Sequence, residues 1–406
     1  MRVLQINSVC GKSSTGRIAS DLASQIIQNN GDSVICYGRD EAVGPSKQFS
    51  YKIGSKLNVF VHTALVRMFD LQEIASVVPT IRLCRFIRQY SPDIIHLHNI
   101  HGYYLNYGIL FKFLKKYNKP IVWTLHDCWS FTGHCSHFEN VRCSKWLGNC
   151  SNCSQKSRYP QSFLFNNSRL HLEQKRKLFS GVRSMILVTP SEWLKNYVMK
   201  SFMGQYKVEV VNNGINRQIF CPSKKEADSI LTKFNLVSKK IVLGVSTLWD
   251  KGKGLDDFSM LSKLLPKEYQ IVLIGTDAKV RKEIPSCILA IDRTNSIAEL
   301  AAWYSAAYVF VNPTYEDNFP TVNLEAISCG TPVIGYKTGG SVESILASKG
   351  IVVKQGDIKA LADAIVSSNF QENARAFCAD VSKQYDAKVM HEKYLKIYDQ
   401  ILHIDE

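Results

Sequence analysis

The stretch Asp317-Asn-Phe-Pro-Thr-Val-Asn-Leu-Glu325 runs directly into Ala-Ile-Ser-Cys-Gly-Thr-Pro-Val-Ile-Gly335, a pattern that predicts a loop, a short helix and a buried strand. It places one carboxylate in the loop and another eight positions later inside the helix. The backbone N–H groups that begin the helix lie between them and form a ready anion site. A nucleotide sugar needs such parts, acceptors for its hydroxyls and donors for its diphosphate. On spacing alone, a surface loop before an amphipathic helix explains the stretch equally well.

Apolar runs alternate with helical patterns along the whole chain, which indicates parallel sheets covered by crossover helices. The predicted strands of the first half are Val3–Ile6, Val34–Tyr37, Ile94–Leu97, Ile121–Leu125, Met185–Val188 and Val208–Val211. Its predicted helices are Arg17–Gln28, Thr80–Gln89, Gly108–Tyr117, Phe163–Phe179 and Glu192–Lys200. The predicted strands of the second half are Lys240–Val245, Gln270–Ile274, Ile288–Ile291, Val309–Val311, Pro332–Ile334 and Gly350–Val353.

The fold prediction is therefore an α/β protein with two Rossmann-like domains facing a cleft. We assign residues 1–207 to the N-terminal domain and residues 208–385 to the C-terminal domain. Residues 386–406 contain an amphipathic helix that we expect to pack back on the N-terminal domain. At 406 residues, the chain is long enough for two cores.

The composition, 45% hydrophobic and 21% charged, is that of a soluble globular protein. The N-terminus reads as a strand rather than a signal peptide. The most apolar stretch, Leu57–Ile81, is interrupted by polar and charged residues, so no membrane span is predicted. We expect a cytoplasmic protein with reduced thiols.

The net charge of +15 is concentrated in the first half of the chain. Residues 1–207 hold 27 Lys and Arg against 11 Asp and Glu, and the remainder is close to neutral. This asymmetry indicates that the first half faces an anion: nucleic acid, a phosphorylated substrate or the cytoplasmic leaflet of a membrane. The basic residues form no recognisable nucleic-acid-binding module, so we expect no nucleic acid among the partners.

A polar, aromatic and Cys-rich insertion at residues 128–160 is too long for an ordinary strand-to-helix loop. Its four thiols follow the spacing Cys135-x7-Cys143-x6-Cys150-x2-Cys153. That spacing suits a tetrahedral structural zinc, and four unligated thiols are the alternative. Further candidate ligands are Cys128, His134 and His137.

Several polar residues follow predicted strands, where ligands bind in open α/β sheets. His126 ends one strand, and His96, His98 and His101 follow another; their spacing favours a polar wall over metal ligation. Gly11-Lys-Ser-Ser-Thr-Gly16 opens the first helix, but it fits neither a P-loop nor a dinucleotide fingerprint. In the second half, Lys251-Gly-Lys253-Gly254 can bring an ammonium group to a diphosphate.

Taken together, these motifs resemble the retaining glycosyltransferases of family 4, which have the two-domain GT-B architecture. Asp317 to Gly335 resembles the family's carboxylate-x7-Glu motif and the Gly-Thr-Pro-Val-Ile that follows it. The other matching positions are Gly16, His126 in Trp-Thr-Leu-His-Asp, Thr189-Pro-Ser-Glu192, Asn213-Gly-Ile215, Lys253, and Gly339-Gly340 with Glu343. The Cys-bearing insertion resembles that of bacterial members that build surface polysaccharides.

The resemblance implies a role for each matching residue. Glu325 would hold the ribose and Asp317 the hexose hydroxyls, while the backbone N–H groups near Phe319, Thr321 and Val322 would meet the phosphates. Lys253 would neutralise the leaving diphosphate. His126 would orient the donor sugar, and Gly16 belongs to the donor-binding set. No catalytic metal is implied; the implied partners are a nucleoside-diphosphate sugar, a lipid-linked saccharide acceptor and the anionic inner membrane.

The chain departs from the family pattern in two places. The family places an Arg shortly before the Lys, where this chain has Ser246-Thr247-Leu248-Trp249, so Lys251 is a candidate substitute. The first carboxylate is Asp317 rather than Glu, although Glu316 stands beside it. The alternatives to glycosyl transfer are a nucleotide-sugar epimerase or phosphorylase on the same fold and, from a different class, a basic nucleic-acid-binding protein.

Overall fold

The computed structural model describes residues 1–72, 75–370 and 372–403. The chain divides into two units, the first formed by Met1–Val211 with the chain from His391 onward, and the second by Asn212–Met390. The boundary after residue 207 that we predicted differs from this division, because Lys207–Val210 forms the last strand of the first sheet. The C-terminal helix begins in the second unit and ends in the first.

The first unit is built around a seven-stranded parallel sheet. Its strands are β1 (Arg2–Asn7), β2 (Asp32–Tyr37), β3 (Ser50–Lys52), β4 (Ile94–Leu97), β5 (Ile121–Thr124), β6 (Met185–Thr189) and β7 (Lys207–Val210). They are ordered β3-β2-β1-β4-β5-β6-β7. Its helices are α1 (Ser13–Gln28), α2 (Lys56–Phe69), α3 (Val77–Tyr90), α4 (Tyr107–Tyr117), α5 (Ser168–Phe179) and α6 (Glu192–Lys200). β4 and β5 are buried throughout, as expected where helices cover both faces of a parallel sheet.

The second unit repeats this plan with six parallel strands. They are β8 (Lys240–Val245), β9 (Tyr269–Ile274), β10 (Leu289–Ile291), β11 (Val309–Asn312), β12 (Val333–Tyr336) and β13 (Ile351–Val353), ordered β10-β9-β8-β11-β12-β13. Its helices are α7 (Lys224–Lys233), α8 (Leu255–Leu261), α9 (Ala278–Glu283), α10 (Ile297–Ala306), α11 (Thr321–Ser328), α12 (Ser341–Ala347), α13 (Ile358–Ser367) and α14 (Glu372–Val381). The last helix, α15 (Ala387–Leu402), spans the boundary between the units.

The predicted helix Phe163–Phe179 is too long, because α5 begins at Ser168. Hydrogen bonds to α2 hold the preceding residues in an irregular conformation. The N–H of Phe163 donates to the carbonyl of Arg67 at 2.7 Å, and the N–H of Asn167 donates to Asp70 Oδ2 at 2.6 Å. Within the described residues, no helix is both long and apolar enough to cross a membrane.

Candidate active site

The turn that carries Lys253 lies against the end of β11. Asp250 caps this single 3₁₀ turn, Lys251–Lys253, by accepting the N–H of Lys253 at 2.9 Å. Gly254 follows at φ +73°, and a Cβ atom there would come within 2.6 Å of the carbonyl oxygen of Pro313. A side chain at this position would therefore push the turn away from β11.

Because the turn packs so closely, Lys253 reaches the loop after β11. Its Nζ lies 2.8 Å from Asp317 Oδ2, and 3.4 Å from both Thr314 Oγ1 and the Glu316 carbonyl oxygen. Burial alone would lower the pKa of Lys253, but the charges of Asp317, Asp250 and Glu316 raise that pKa above its usual value. Lys253 is therefore a fixed cation at physiological pH.

The start of α11 follows this ion pair in the chain. The helix begins at Thr321 after Pro320, with no side-chain cap, so Thr321 and Val322 contribute backbone N–H groups that no capping side chain satisfies. The loop before it is held in place, because Asn213 Nδ2 donates to the carbonyl of Phe319 at 2.8 Å. The second unit thus brings a cation and a helix N-terminus to one short segment, a suitable arrangement for a diphosphate.

Glu325 lies one turn further along α11 and is 95% buried. The hydroxyl of Tyr304, on α10, donates to its Oε2 at 2.8 Å and fixes the carboxylate in place. A buried carboxylate needs such a donor. Sequence reasoning identified Glu325 but missed Tyr304, because nothing in the spacing connects the two residues.

Asn323 is a second buried polar residue on α11 that sequence reasoning missed. Its Oδ1 accepts from Asn312 Nδ2 at 2.8 Å, and its Nδ2 donates to Ser341 Oγ at 3.1 Å and Ser344 Oγ at 3.0 Å. These bonds connect α11 to β11 and α12 and so fix the helix that carries Glu325.

Lys251, the predicted substitute for the missing Arg, does not join the carboxylate group. Its side chain is 89% exposed and pairs with Asp256 at 3.8 Å. In the first unit, Gly16 lies in the first turn of α1, where a Cβ atom would be 3.0 Å from Val9 Cγ2. Close packing thus accounts for this glycine without a ligand.

In the first unit, a chain of hydrogen bonds leads to His126, which follows β5. Gln5 Nε2 donates to the carbonyl of Ala19 at 3.0 Å, so Gln5 Oε1 accepts from His98 Nε2 at 3.0 Å. His98 Nδ1, 3.2 Å from His126 Nε2, is then the acceptor. His126 therefore carries its proton on Nε2 and its lone pair on Nδ1.

His98 and His126 are neutral at physiological pH. Burial lowers the pKa of His98 well below its ordinary value and that of His126 to about 4. Burial also raises the pKa of the neighbouring Asp127 carboxyl. His101, whose Nε2 lies 3.1 Å from Asp127 Oδ2, outweighs burial and brings that pKa to about 2. The site therefore presents neutral imidazole and a carboxylate side by side.

The C-terminal helix contributes to the same region of the first unit. Tyr398 OH lies 2.6 Å from His96 Nδ1, and Thr124 Oγ1 lies 2.8 Å from His96 Nε2. Tyr394 OH in turn is 3.0 Å from Thr124 Oγ1. α15 thus packs its tyrosines under the strand ends that carry the histidines.

Two pockets adjoin these strand ends. One, of about 190 Å³, is lined by residues that include His98, His126 and Asp127. The other, of about 280 Å³, lies towards α2, where His62 and Val66 contribute to its wall. The two pockets share the lining residues Ile100, His101 and Trp129, so they are neighbours.

In the Cys-rich insertion, the thiol of Cys150 lies within electrostatic range of Cys135, Cys143 and Cys153. Cys135 and Cys153 hydrogen-bond to each other, which raises the pKa of Cys135 and lowers that of Cys153. Across residues 1–72, 75–370 and 372–403, no three His, Cys, Asp or Glu side chains are arranged to hold a metal ion. The zinc site stays a prediction from the Cys spacing.

Buried ionic groups that sequence reasoning missed anchor this insertion. Asp70 Oδ1 lies 3.6 Å from His134 Nδ1 and 3.4 Å from His171 Nε2. Lys175, fully buried on α5, donates to the carbonyls of Trp129 at 2.7 Å and Thr132 at 3.0 Å. Burial lowers the pKa of Lys175 to about 7. The sequence offered no sign that this Lys lies inside the core.

Known proteins resemble both units. Residues 15–219 match the family model described as Glycosyltransferase Family 4, and residues 239–368 match that described as Glycosyl transferases group 1. The putative colanic acid biosynthesis glycosyl transferase WcaC of Escherichia coli (strain K12) is 23% identical over 419 aligned positions, which cover 99% of this chain and 100% of that protein.

A second relative and a solved structure extend the comparison. The N,N'-diacetylbacillosaminyl-diphospho-undecaprenol alpha-1,3-N-acetylgalactosaminyltransferase of Campylobacter jejuni is 28% identical over 262 positions, 60% of this chain and 67% of that protein. The solved structure of sucrose-phosphate synthase from Thermosynechococcus elongatus matches with a TM-score of 0.71 at 16% identity and covers 98% of each chain. The predicted fold is thereby confirmed: the two parallel-sheet units have the GT-B fold.

Proposed function

The chain belongs to glycosyltransferase family 4, and from this premise we propose that it transfers a hexose-type sugar, with retention of configuration, in surface polysaccharide biosynthesis. The donor is a nucleoside-diphosphate sugar and the acceptor a lipid-linked saccharide. Two relatives support this choice of acceptor and pathway class: one is named for colanic acid biosynthesis, and the other for transfer to a diphospho-undecaprenol-linked sugar.

The observation that carries the proposal is the ion pair between Lys253 and Asp317 at the start of α11. As the bond between sugar and diphosphate breaks, negative charge develops on the leaving phosphate. Lys253 and the N–H groups of Thr321 and Val322 neutralise that charge. Asp317 holds the ammonium in place and accepts a hydroxyl of the hexose.

Glu325 binds the ribose of the donor in this proposal. Its buried carboxylate is fixed by Tyr304, so its orientation is set before the nucleotide arrives. His126, in the first unit, orients the donor sugar as a neutral hydrogen-bonding group. The low pKa of His126, about 4, supports such a role and argues against a cationic one.

We propose that the transfer needs no catalytic metal, because Lys253 and the helix N-terminus supply the positive charge that a metal would otherwise provide. Turnover should therefore persist after dialysis against a chelator. The Cys spacing carries a separate proposal, a structural zinc at Cys135, Cys143, Cys150 and Cys153. One zinc per purified chain is the expected stoichiometry, and a value near zero in folded protein would overturn the zinc proposal.

We also propose that the protein works at the cytoplasmic face of the inner membrane, where a lipid-linked acceptor is found. The excess of Lys and Arg in residues 1–207 supports this location, because anionic headgroups attract basic surfaces.

The function is tested by screening nucleoside diphosphates for thermal stabilisation of the protein and then assaying the matching sugar donor. A diphosphate ligand should raise the unfolding temperature. Transfer to a lipid-linked saccharide should fall by about 10²-fold or more in Asp317→Ala and in Glu325→Ala. Donor isomerisation without any acceptor would instead identify an epimerase. Full transfer by a folded Glu325→Ala protein would contradict the proposed donor site.

A further inference from the structure

Helix α2 has an exposed stripe of apolar side chains along its outer side. Leu57, Phe60, Val61 and Met68 are all exposed, Phe60 to 71% of its surface, and their spacing places them on one side of the helix. The opposite side buries His62 and Val66. Because the buried side already anchors the helix, the exposed stripe is not needed for packing, and a contiguous exposed apolar surface marks an interaction site.

The segment Phe163-Leu164-Phe165 extends this stripe. Its three side chains are at least half exposed, Leu164 to 66%. The Phe163 N–H donates to the Arg67 carbonyl at 2.7 Å, and the rings of Phe69 and Phe165 lie 6.0 Å apart. The segment is thus fixed beside the C-terminal end of α2. We call Leu57, Phe60, Val61, Met68 and Phe163–Phe165 the docking face.

The chain around the docking face is basic. Between Ala42 and Gln72 the sequence contains one acidic residue, Asp70, and this residue is fully buried. The same stretch contains the basic residues Lys47, Lys52, Lys56 and Arg67, of which Lys52 pairs with Glu41. From Ser154 to Leu172 the basic residues are Lys156, Arg158 and Arg169, of which Arg169 pairs with Glu173 at 2.9 Å.

The apolar stripe shares α2 with Lys56 and Arg67, and Lys156 Nζ lies 3.4 Å from the carbonyl oxygen of Phe163, so the docking face matches an anionic bilayer better than a second copy of the chain. Two copies joined through this face would bring like charges together, which is unfavourable. An anionic membrane attracts those cations, and its interface accepts Phe and Leu side chains.

The helix that carries most of the docking face also lines a pocket beside the strand ends. His62 and Val66, on the buried side of α2, line the pocket of about 280 Å³, which adjoins the pocket at His126 and Asp127. A substrate whose lipid stays in the bilayer would therefore present its polar head close to these pockets.

We propose that the docking face inserts into the surface of an anionic phospholipid bilayer and thereby presents the first unit to a lipid-linked acceptor. This inference deepens the proposed membrane location by naming the surface that binds, and its acceptor part rests on the proposed glycosyl transfer. α2 lies along the interface with its apolar stripe facing the acyl chains, and its cations contact the headgroups. The Phe163–Phe165 segment enters the bilayer beside it.

The test is sedimentation of the full-length protein with vesicles that contain neither donor nor acceptor. One vesicle type is pure phosphatidylcholine and the other also contains phosphatidylglycerol. The unaltered protein should bind the anionic vesicles. Phe60→Ser/Leu164→Ser should weaken this binding by about tenfold or more, because two large side chains lose their burial in the interface. Lys56→Gln/Arg67→Gln should weaken binding to anionic vesicles alone.

The matched control is Val237→Ser/Leu346→Ser in the second unit, whose side chains are 71% and 58% exposed. This variant should bind as the unaltered protein does. Equal vesicle binding by Phe60→Ser/Leu164→Ser (the docking-face variant) and by the control would overturn the inference. So would a dimer that Phe60→Ser/Leu164→Ser converts to a monomer while vesicle binding stays unchanged, since a second copy would then be the occupant.

Transfer to a tail-free saccharide acceptor separates this inference from the proposed function. The docking-face variant should retain that activity and lose transfer to an acceptor embedded in vesicles. An unaltered protein that binds vesicles but transfers no sugar would overturn the function and leave the docking face in place.

Discussion

Lys253 is the residue on which the proposed chemistry depends most. The stretch Ser246–Trp249 has no Arg where the family usually places one, and Lys251 is exposed and paired with Asp256. In the proposed mechanism, the ammonium beside Asp317 therefore supplies alone the charge that the family pattern divides between an Arg and a Lys.

We expect Lys253→Met to lower kcat by about 10²- to 10³-fold, because the leaving diphosphate loses its preorganised cation. Lys251→Met is the control, and a loss of a few-fold at most is expected for it. Steady-state kinetics with the donor found by thermal stabilisation would measure both. A larger loss in Lys251→Met than in Lys253→Met would show that the geometry of the free protein misidentifies the phosphate ligand.

Gln5 acts through His98 on His126 and is a positioning residue. Gln5→Met removes the acceptor of His98 Nε2–H, so the proton of His126 is no longer fixed on Nε2. We expect kcat to fall by about tenfold and its pH profile to shift. Stabilisation by the nucleoside diphosphate should not change. Gln28→Met, on the exposed side of α1, should leave all three quantities unaltered.

At the scale of single elements, the turn before α8 sets the position of Lys253. Gly254→Ala combines a strained positive φ with a contact of 2.6 Å to a backbone oxygen, so the turn must move. Gly252→Ala is the matched control, because its Cβ would meet a side-chain oxygen of Asp250 at 3.1 Å. We expect a loss of turnover in Gly254→Ala alone, measured with folding monitored by circular dichroism. Equal activity of the two variants would mean that the turn tolerates displacement.

The sequence predicted every strand except β3, because a parallel sheet buried on both faces requires continuous apolar runs and β3 is a short, partly buried edge strand. It did not predict α2, which is apolar on both its buried and its exposed side and so lacks the one-sided pattern of an ordinary surface helix. The sequence also predicted a helix at residues 163–167, although tertiary hydrogen bonds to the end of α2 hold them in an irregular conformation.

Some residues of the candidate site could likewise be predicted from local sequence patterns, and others could not. Asp317, Glu325 and Lys253 could be chosen as candidates, because each stands in a local pattern of strand, loop and helix. Their supports Tyr304, Asn323 and Gln5 could not, because a hydrogen bond between residues distant in the chain has no local pattern. The missing information is tertiary, and the fold class alone does not supply it.

At the scale of the whole molecule, the histidines are distributed unequally. The sequence contains 10, and none of them lies between Asn212 and Met390, the span of the second unit. In the first unit, burial lowers the pKa of His62 and His126 to about 4 and that of His96 to about 3. The two units should therefore respond differently to acid.

A histidine whose pKa is lowered by folding stabilises the folded state fully above its unfolded pKa of 6.5, and this contribution is lost as the pH falls towards the folded value. Between about pH 6.5 and 4.5, each such histidine should cost the first unit about 1.4 kcal/mol of unfolding free energy per pH unit. Asp127, whose folded pKa is about 2, adds its own loss of stability only at lower pH.

Hydrogen exchange of the full chain between about pH 6.5 and 4.5 should show amide protection falling in the first unit, while the second unit keeps its protection. His62→Leu should flatten the pH slope of the first unit by about one proton, whatever its effect on stability at pH 7. Equal slopes in the two units would contradict the assignment, because they would mean that the acid response does not come from buried neutral histidines.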